Sequence, residues 1–222
     1  MNAALRANQG TDAEGSAAGR RPCVRAFVAS VVLGLGACAS PPRQDVPPTE
    51  PASFAAWRAP READVQRFLG FLAQQKVRQV LPAHELLKSA SSWAQCAAEP
   101  YALPPEAQWG AVVSVLRLLQ ALQGAGVLGE VQVHSGYRNP MLNACAGGAT
   151  RSAHLLSFAL DLTPLEGSPS IEALCRFWRE QGPALRMGLG WYASGRLHID
   201  TAGHRTWGGD GRTGSARCLR EP

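Results

Sequence analysis

Lysine is nearly absent from this chain of 222 residues: Lys76 and Lys88 are the only two, and arginine carries the rest of the basic charge. The basic side chains are scattered, no run of them is interleaved with aromatics, and the formal net charge is a mild +5. A nucleic-acid surface needs a basic stripe or cluster, so no nucleic acid is expected as a partner. Charged residues make up only 18%, yet hydrophobic residues reach 45%, a globular rather than a disordered composition. There is no internal repeat and no C-x2-C pair. The glycine run Gly208-Gly209-Asp210-Gly211 lacks the Lys-Ser/Thr and the helix of a phosphate loop, and reads as a flexible tail. The length suits one domain of ordinary size with additions.

Apolar runs are short. Val24–Gly36 is apolar except for Arg25 and follows Arg20 and Arg21. It is too short to span a bilayer, which takes about 20 residues, but it fits the core of an export signal. It ends in Leu35-Gly36-Ala37-Cys38, which resembles the lipobox of bacterial lipoproteins. That resemblance implies cleavage after the small Ala37 and lipid on the thiol of Cys38. The next fifteen residues, Ala39–Ser53, hold five prolines and read as a semi-rigid tether. The expected organisation is a signal segment over 1–37, lipidated Cys38 and tether over 38–53, and a folded domain over 54–222. Ala39 and Ser40, in place of aspartate, imply by the same resemblance a lipid-anchored protein on the periplasmic side, at the outer membrane.

Export changes the meaning of the cysteines. Cys23 leaves with the signal and Cys38 takes lipid, so Cys96, Cys145, Cys175 and Cys218 remain. In an oxidising compartment four cysteines point to two disulfides, with three connectivities open. The competing four-thiolate zinc site lacks the short ligand spacing such sites use.

Apolar spacing predicts amphipathic helices over Ala52–Lys76 and Glu106–Leu122, and Ser170 as N-cap with Glu172 in the first turn marks a third over Ser170–Gln181. Short strands are expected at Glu130–His134, Phe158–Thr163, Met187–Tyr192 and Arg196–Thr201. Helices come first and strands concentrate later, with no βαβ alternation. The expected class is α+β, with helices packed on a small antiparallel sheet.

The second half presents polar groups at strand ends: Ser135-Gly136-Tyr137-Arg138-Asn139-Pro140, then Ser152-Ala153-His154, then Asp161, then Arg196-Leu197-His198-Ile199-Asp200. Two histidines and a carboxylate make a sensible zinc set, because three protein ligands leave a fourth position open. His198 and Asp200 lie two apart on an expected strand and so share a face.

SGYRNP, SAHLLSFALD and GLGWY followed by LHID together resemble the zinc D-Ala-D-Ala carboxypeptidases and related murein endopeptidases. Against that family's SxHxxGxAxD signature, Ser152, His154, Ala159 and Asp161 match, and Ser157 stands where glycine is usual. The resemblance implies the hedgehog/DD-peptidase fold over 54–222, with Zn2+ held by His154, Asp161 and His198. It also implies Arg138 facing the substrate carbonyl, Ser152 binding the substrate peptide, and peptidoglycan peptides as substrate. Several members place an acid three residues before the last histidine; here Gly195 occupies that position. Asp200 is then the local substitute, as the proton acceptor or as the group that orients a ligand, with a plain strand-end hydrogen bond as the remaining reading. The fold also resembles the hedgehog signalling domain, in which such a zinc site need not be hydrolytic, so a wall-binding lipoprotein is the alternative. His134 reads as a core or edge histidine, His84 and His204 as surface residues, and Trp191 and Trp207 as core.

Overall fold

Pro60 breaks the first expected helix in two. The structure, a computed structural model, describes residues 50–167 and 169–220, so the signal segment, Cys38 and most of the tether lie outside it. In place of one helix over Ala52–Lys76 there are α1 (Ala52–Arg58) and α2 (Glu62–Gln74), separated by a 3-10 turn at Ala59–Arg61. Proline has no N–H to give an α-helix, and its ring collides with the preceding turn. α1 buries Phe54 and Trp57, and α2 buries Val65, Phe68, Leu69 and Leu72.

A short α3 (Ala83–Leu86) follows, then α4 (Trp109–Gly124), the long central helix. Its Leu116, Leu118, Leu119 and Leu122 are fully buried, because it lies between α2 on one side and the sheet on the other. α5 (Pro140–Cys145) starts at Asn139, whose side chain accepts from the Leu142 amide. α6 (Ile171–Glu180) begins as the sequence predicts, with the Ser170 hydroxyl accepting from the Ala173 amide; α7 (Gly182–Leu185) follows it.

The strands are β1 (Val131–Ser135), β2 (Ala159–Pro164), β3 (Gly188–Trp191), β4 (Leu197–Asp200) and β5 (Arg205–Trp207). The sheet order is β1-β2-β4-β3-β5. Four strands pair antiparallel, as expected; β5, which the apolar pattern does not reveal, pairs parallel to β3. The α+β class holds. One sheet face carries Val133, Leu160, Leu162, Leu189, Leu197 and Ile199 into the core shared with the helices. The opposite face carries the polar residues.

β1 carries a bulge between Val133 and Ser135. Val133 pairs with Leu162 and Ser135 with Asp161, so the extra residue turns Ser135 from the core side to the polar side.

The cysteines pair as Cys96–Cys145 and Cys175–Cys218, which settles the connectivity. The second bridge corrects the reading of 208–211 as a flexible tail. Gly208 accepts from the Gly211 amide and donates to the Arg212 carbonyl, Ser215 donates to Asp210, and Cys218 ties the segment to α6. No helix among the described residues is long and apolar enough to cross a membrane.

Candidate metal and active site

The register of the sheet assembles the polar face. Asp161 on β2 is the Cα partner of His198 on β4, and Gly190 on β3 is the partner of His198 from the other side. Asp200 lies between Ala159 and Gly188 in the same way. Both β3 partners are glycines for a steric reason. A Cβ at Gly188 would run into the Asp200 carboxylate, and one at Gly190 into the Trp207 indole. The Gly-Leu-Gly alternation thus clears one face while Leu189 stays in the core.

His154 enters from a 3-10 turn, Ala153–Leu156, capped by the Ser152 hydroxyl, which accepts from the His154 amide. The turn ends at Ser157 in the left-handed region, φ 61°. That conformation explains why glycine is usual in the motif. Here Ser157 donates its hydroxyl to Gln108 Oε1, 2.7 Å away.

Three groups converge at the base of the cleft. Asp161 Oδ1 is 2.8 Å from His198 Nδ1, Asp161 Oδ2 is 3.2 Å from His154 Nε2, and the two ring nitrogens are 3.3 Å apart. His154, Asp161 and His198 are buried, and among the described residues they form the group able to hold a metal ion, with ligand atoms within 4.8 Å of one another.

The outward nitrogens are already committed. His154 Nδ1 is 2.7 Å from the Gly136 carbonyl oxygen, which can only accept, so that nitrogen carries the proton and Nε2 keeps a lone pair. His198 Nε2 is 3.0 Å from Asp200 Oδ2, which assigns its proton in the same way and leaves Nδ1 for a ligand role. Two imidazole lone pairs and a carboxylate aimed at one point fit a divalent metal.

Electrostatics follow from burial and pairing. Burial raises the Asp161 carboxyl, but His154 and His198 outweigh it and hold it well below the usual carboxylate range. Burial pushes His154 down, with Asp161 offsetting only part of the effect. It pushes His198 the same way, but hydrogen bonds to Asp161 and Asp200 win and raise it. Burial and the Asp161 charge push the Tyr192 phenol up, so it stays protonated and donates to Asp161 Oδ1 at 2.9 Å.

Arg138 is 7% exposed; its Nε donates to Ser135 Oγ and its Nη2 to Asp161 Oδ2, both at 2.9 Å. It lines the cleft, as do Ser152 and Tyr192. Asp200 is placed differently. It has no exposed surface and does not line the cleft. Its oxygens receive Arg205 Nη1 and Nη2 at 2.9 Å and the Ala202 amide at 2.8 Å, besides facing His198. Burial would raise its carboxyl; the bond to His198 and the Arg205 charge lower it instead. Gly195 takes φ 83° in the β3–β4 turn.

Composition and periodicity miss two contributors. Trp207, read as core, lines the cleft, with its ring centroid 5.0 Å from that of His198 and the Arg205 guanidinium 5.2 Å from its centroid. Arg205 itself carries no motif signal. His134 is an edge histidine as expected, 2.9 Å from Thr163 Oγ1, and His204 is exposed, stacked on Trp178. His84 is half-buried against Phe54 rather than at the surface.

An α+β fold presenting two histidines and a carboxylate from one sheet face and one capped turn defines a metal-site domain with an open cleft. The model of the Peptidase M15 family matches residues 79–200, which include all three converging side chains, and the chain belongs to that family. Membership implies a metal-dependent peptidase. No curated protein matches the chain.

Proposed function

We propose that this protein is a zinc peptidase acting on peptidoglycan peptides. The observation that carries the reading is the convergence of His154 Nε2, Asp161 and His198 Nδ1 at the base of an open cleft in an M15 chain. Bound there, zinc supplies Lewis acidity to a peptide carbonyl and acidifies water. The chain's own residues do the rest. Arg138, at the cleft floor, hydrogen-bonds the carbonyl oxygen as charge develops on it, through the N–H groups that its bonds to Ser135 and Asp161 leave over, while Tyr192 holds Asp161 in place. Ser152 fixes the backbone of His154 and offers its hydroxyl toward the substrate chain. Asp200 acts through His198: it holds the imidazole's tautomer and angle, and its burial behind that ring speaks against direct contact with substrate.

The test is digestion of purified peptidoglycan fragments with and without a chelator, read by mass. Loss of one alanine marks a carboxypeptidase, and conversion of cross-linked dimers to monomers marks an endopeptidase. Zinc content near one per chain, abolished by His154→Ala, is expected. Full zinc in that variant would remove the ligand assignment.

A non-catalytic zinc protein that binds the wall is the second reading. It is favoured by Gly195 and by the cleft lining, in which Asp161 is the one carboxylate among the described residues. Zinc-loaded protein that binds wall peptides and never cuts them would establish it.

Cys38 is proposed as the lipid anchor and the outer membrane as its location, on the strength of the Leu35–Cys38 motif and the proline-rich tether. A Cys38→Ala variant that remains in the membrane fraction would contradict this.

A further inference from the structure

Arginines scattered along the sequence gather at the cleft. Its volume is about 650 Å³, and its lining includes Arg138, Arg151, Arg196 and Arg205 against a single carboxylate, Asp161. Two of the four are already paired: Arg138 with Asp161, and Arg205 with Asp200. The other two have no carboxylate partner among the described residues. Arg196 spans to the facing wall, where its Nη1 donates to Ser91 Oγ at 2.9 Å. Arg151 is exposed and makes no side-chain hydrogen bond or ion pair among the described residues. The acid of the neighbouring loop, Asp210, is not part of the cleft lining; it accepts from Ser215 and the Arg212 amide and makes no ion pair with either arginine.

Such an imbalance has a chemical meaning. A concave site with uncompensated guanidinium groups focuses positive potential on whatever enters. The guanidinium fork matches a carboxylate with two parallel hydrogen bonds. Neither arginine is needed to hold the metal-site residues, which find their partners elsewhere.

We infer that Arg151 and Arg196 are specificity-determining residues that recognise a carboxylate of the bound peptide. The inference rests on the reading of this cleft as a peptide site and adds to it the charge of the ligand. The carboxylate has two possible sources in a peptide, the free C-terminus and an acidic side chain, and one peptide series separates them.

The experiment uses the zinc-loaded protein and four forms of one peptide ending in D-Ala-D-Ala: glutamate with a free C-terminus, glutamate with an amidated C-terminus, glutamine with a free C-terminus, and glutamine with an amide. KM and kcat are measured for each, and Kd by calorimetry. The wild type is expected to favour the first form over the last about tenfold in KM or Kd, the scale of one charge-assisted hydrogen bond. Arg151→Gln combined with Arg196→Gln is expected to erase that preference, and the corresponding Lys variants to keep part of it. Ser91→Ala, which removes the Arg196 tether without its charge, controls for distortion of the wall. The preference following the amide assigns the terminal carboxylate; following glutamine, it assigns the side chain. A wild type without preference, or a double variant that retains it, overturns the inference. Calorimetry needs no turnover, so binding that shows the preference without cleavage would uphold the inference and count against the peptidase reading alone.

Discussion

Asp161 and His198 face each other as Cα partners across β2 and β4, and their side chains meet at 2.8 Å on the polar side of the sheet. A one-residue slip of either strand would send one of them into the core, so the site and the sheet register are one requirement. Asp200 and Gly188, a pair at the same level of β4 and β3, extend it.

Asp200→Asn tests the positioning of His198. The amide keeps the shape but weakens the hold on the imidazole proton. Zinc affinity is expected to fall about 10–100-fold, the usual effect of losing such a partner, and the Arg205 ion pair is lost with it. Chelator competition measures the affinity. An unchanged affinity would place Asp200 outside the metal site's support.

Gly190→Ala and Gly188→Ala test the cleared face. Each added Cβ meets a side chain that holds or covers His198: the Trp207 ring in one case, the Asp200 carboxylate in the other. Overpacking of this kind costs about 1–3 kcal/mol. Thermal unfolding should show it, with zinc affinity falling in parallel. Leu189→Val, on the core side of the same strand, should cost stability while moving zinc affinity less.

Ser157 separates backbone strain from hydrogen bonding. Ser157→Ala keeps the left-handed backbone and loses the bond to Gln108, so a loss of about 1 kcal/mol is expected. Ser157→Gly loses the same bond but relieves the strained φ, worth about 1 kcal/mol, and should sit near wild type. Chemical denaturation of both variants decides the matter; equal losses would refute the strain argument.

Both disulfides close long loops, with sequence separations of 49 and 43. Chain entropy assigns about 4 kcal/mol to each. Reduction is expected to lower the midpoint of denaturation strongly. Cys96→Ser/Cys145→Ser should also loosen peptide binding, because that bridge ties the segment next to the Ser91–Ser92 wall to α5 beside the cleft.

His134 supplies a pH dependence away from the metal ligands. Burial first, then the charges of Arg196 and Lys88, lower its pKa below the ordinary 6.5. The unfolded chain therefore takes up this proton before the folded one does. Stability is expected to fall as pH drops from 6.5 toward the lowered value and to level off below it. His134→Asn should flatten that part of the melting-temperature profile.

Local pattern alone carried a good deal. Apolar spacing located α4, the cap at Ser170 with Glu172 in the first turn located α6, and the alternation of Leu197, His198, Ile199 and Asp200 put both polar residues on one face of β4. Those features depend on neighbours a few residues apart, so they are written in the sequence. The three converging side chains were legible only through their motifs, since nothing in spacing brings residues 154, 161 and 198 to one point. Pro60 was visible in the sequence, yet the apolar rhythm on either side of it masked the break between α1 and α2.

The remainder was decided in three dimensions. The bulge in β1 turned Ser135 toward Arg138, and the parallel pairing of β5 with β3 carried Arg205 to Asp200 and Trp207 to His198. The same folding gathered arginines that look scattered along the chain into one cleft, and separated two that are paired with carboxylates from two that have no carboxylate partner among the described residues. Charge acts through distance in space, and burial depends on what packs above a residue. Neither quantity is defined until strands far apart in sequence have chosen their partners.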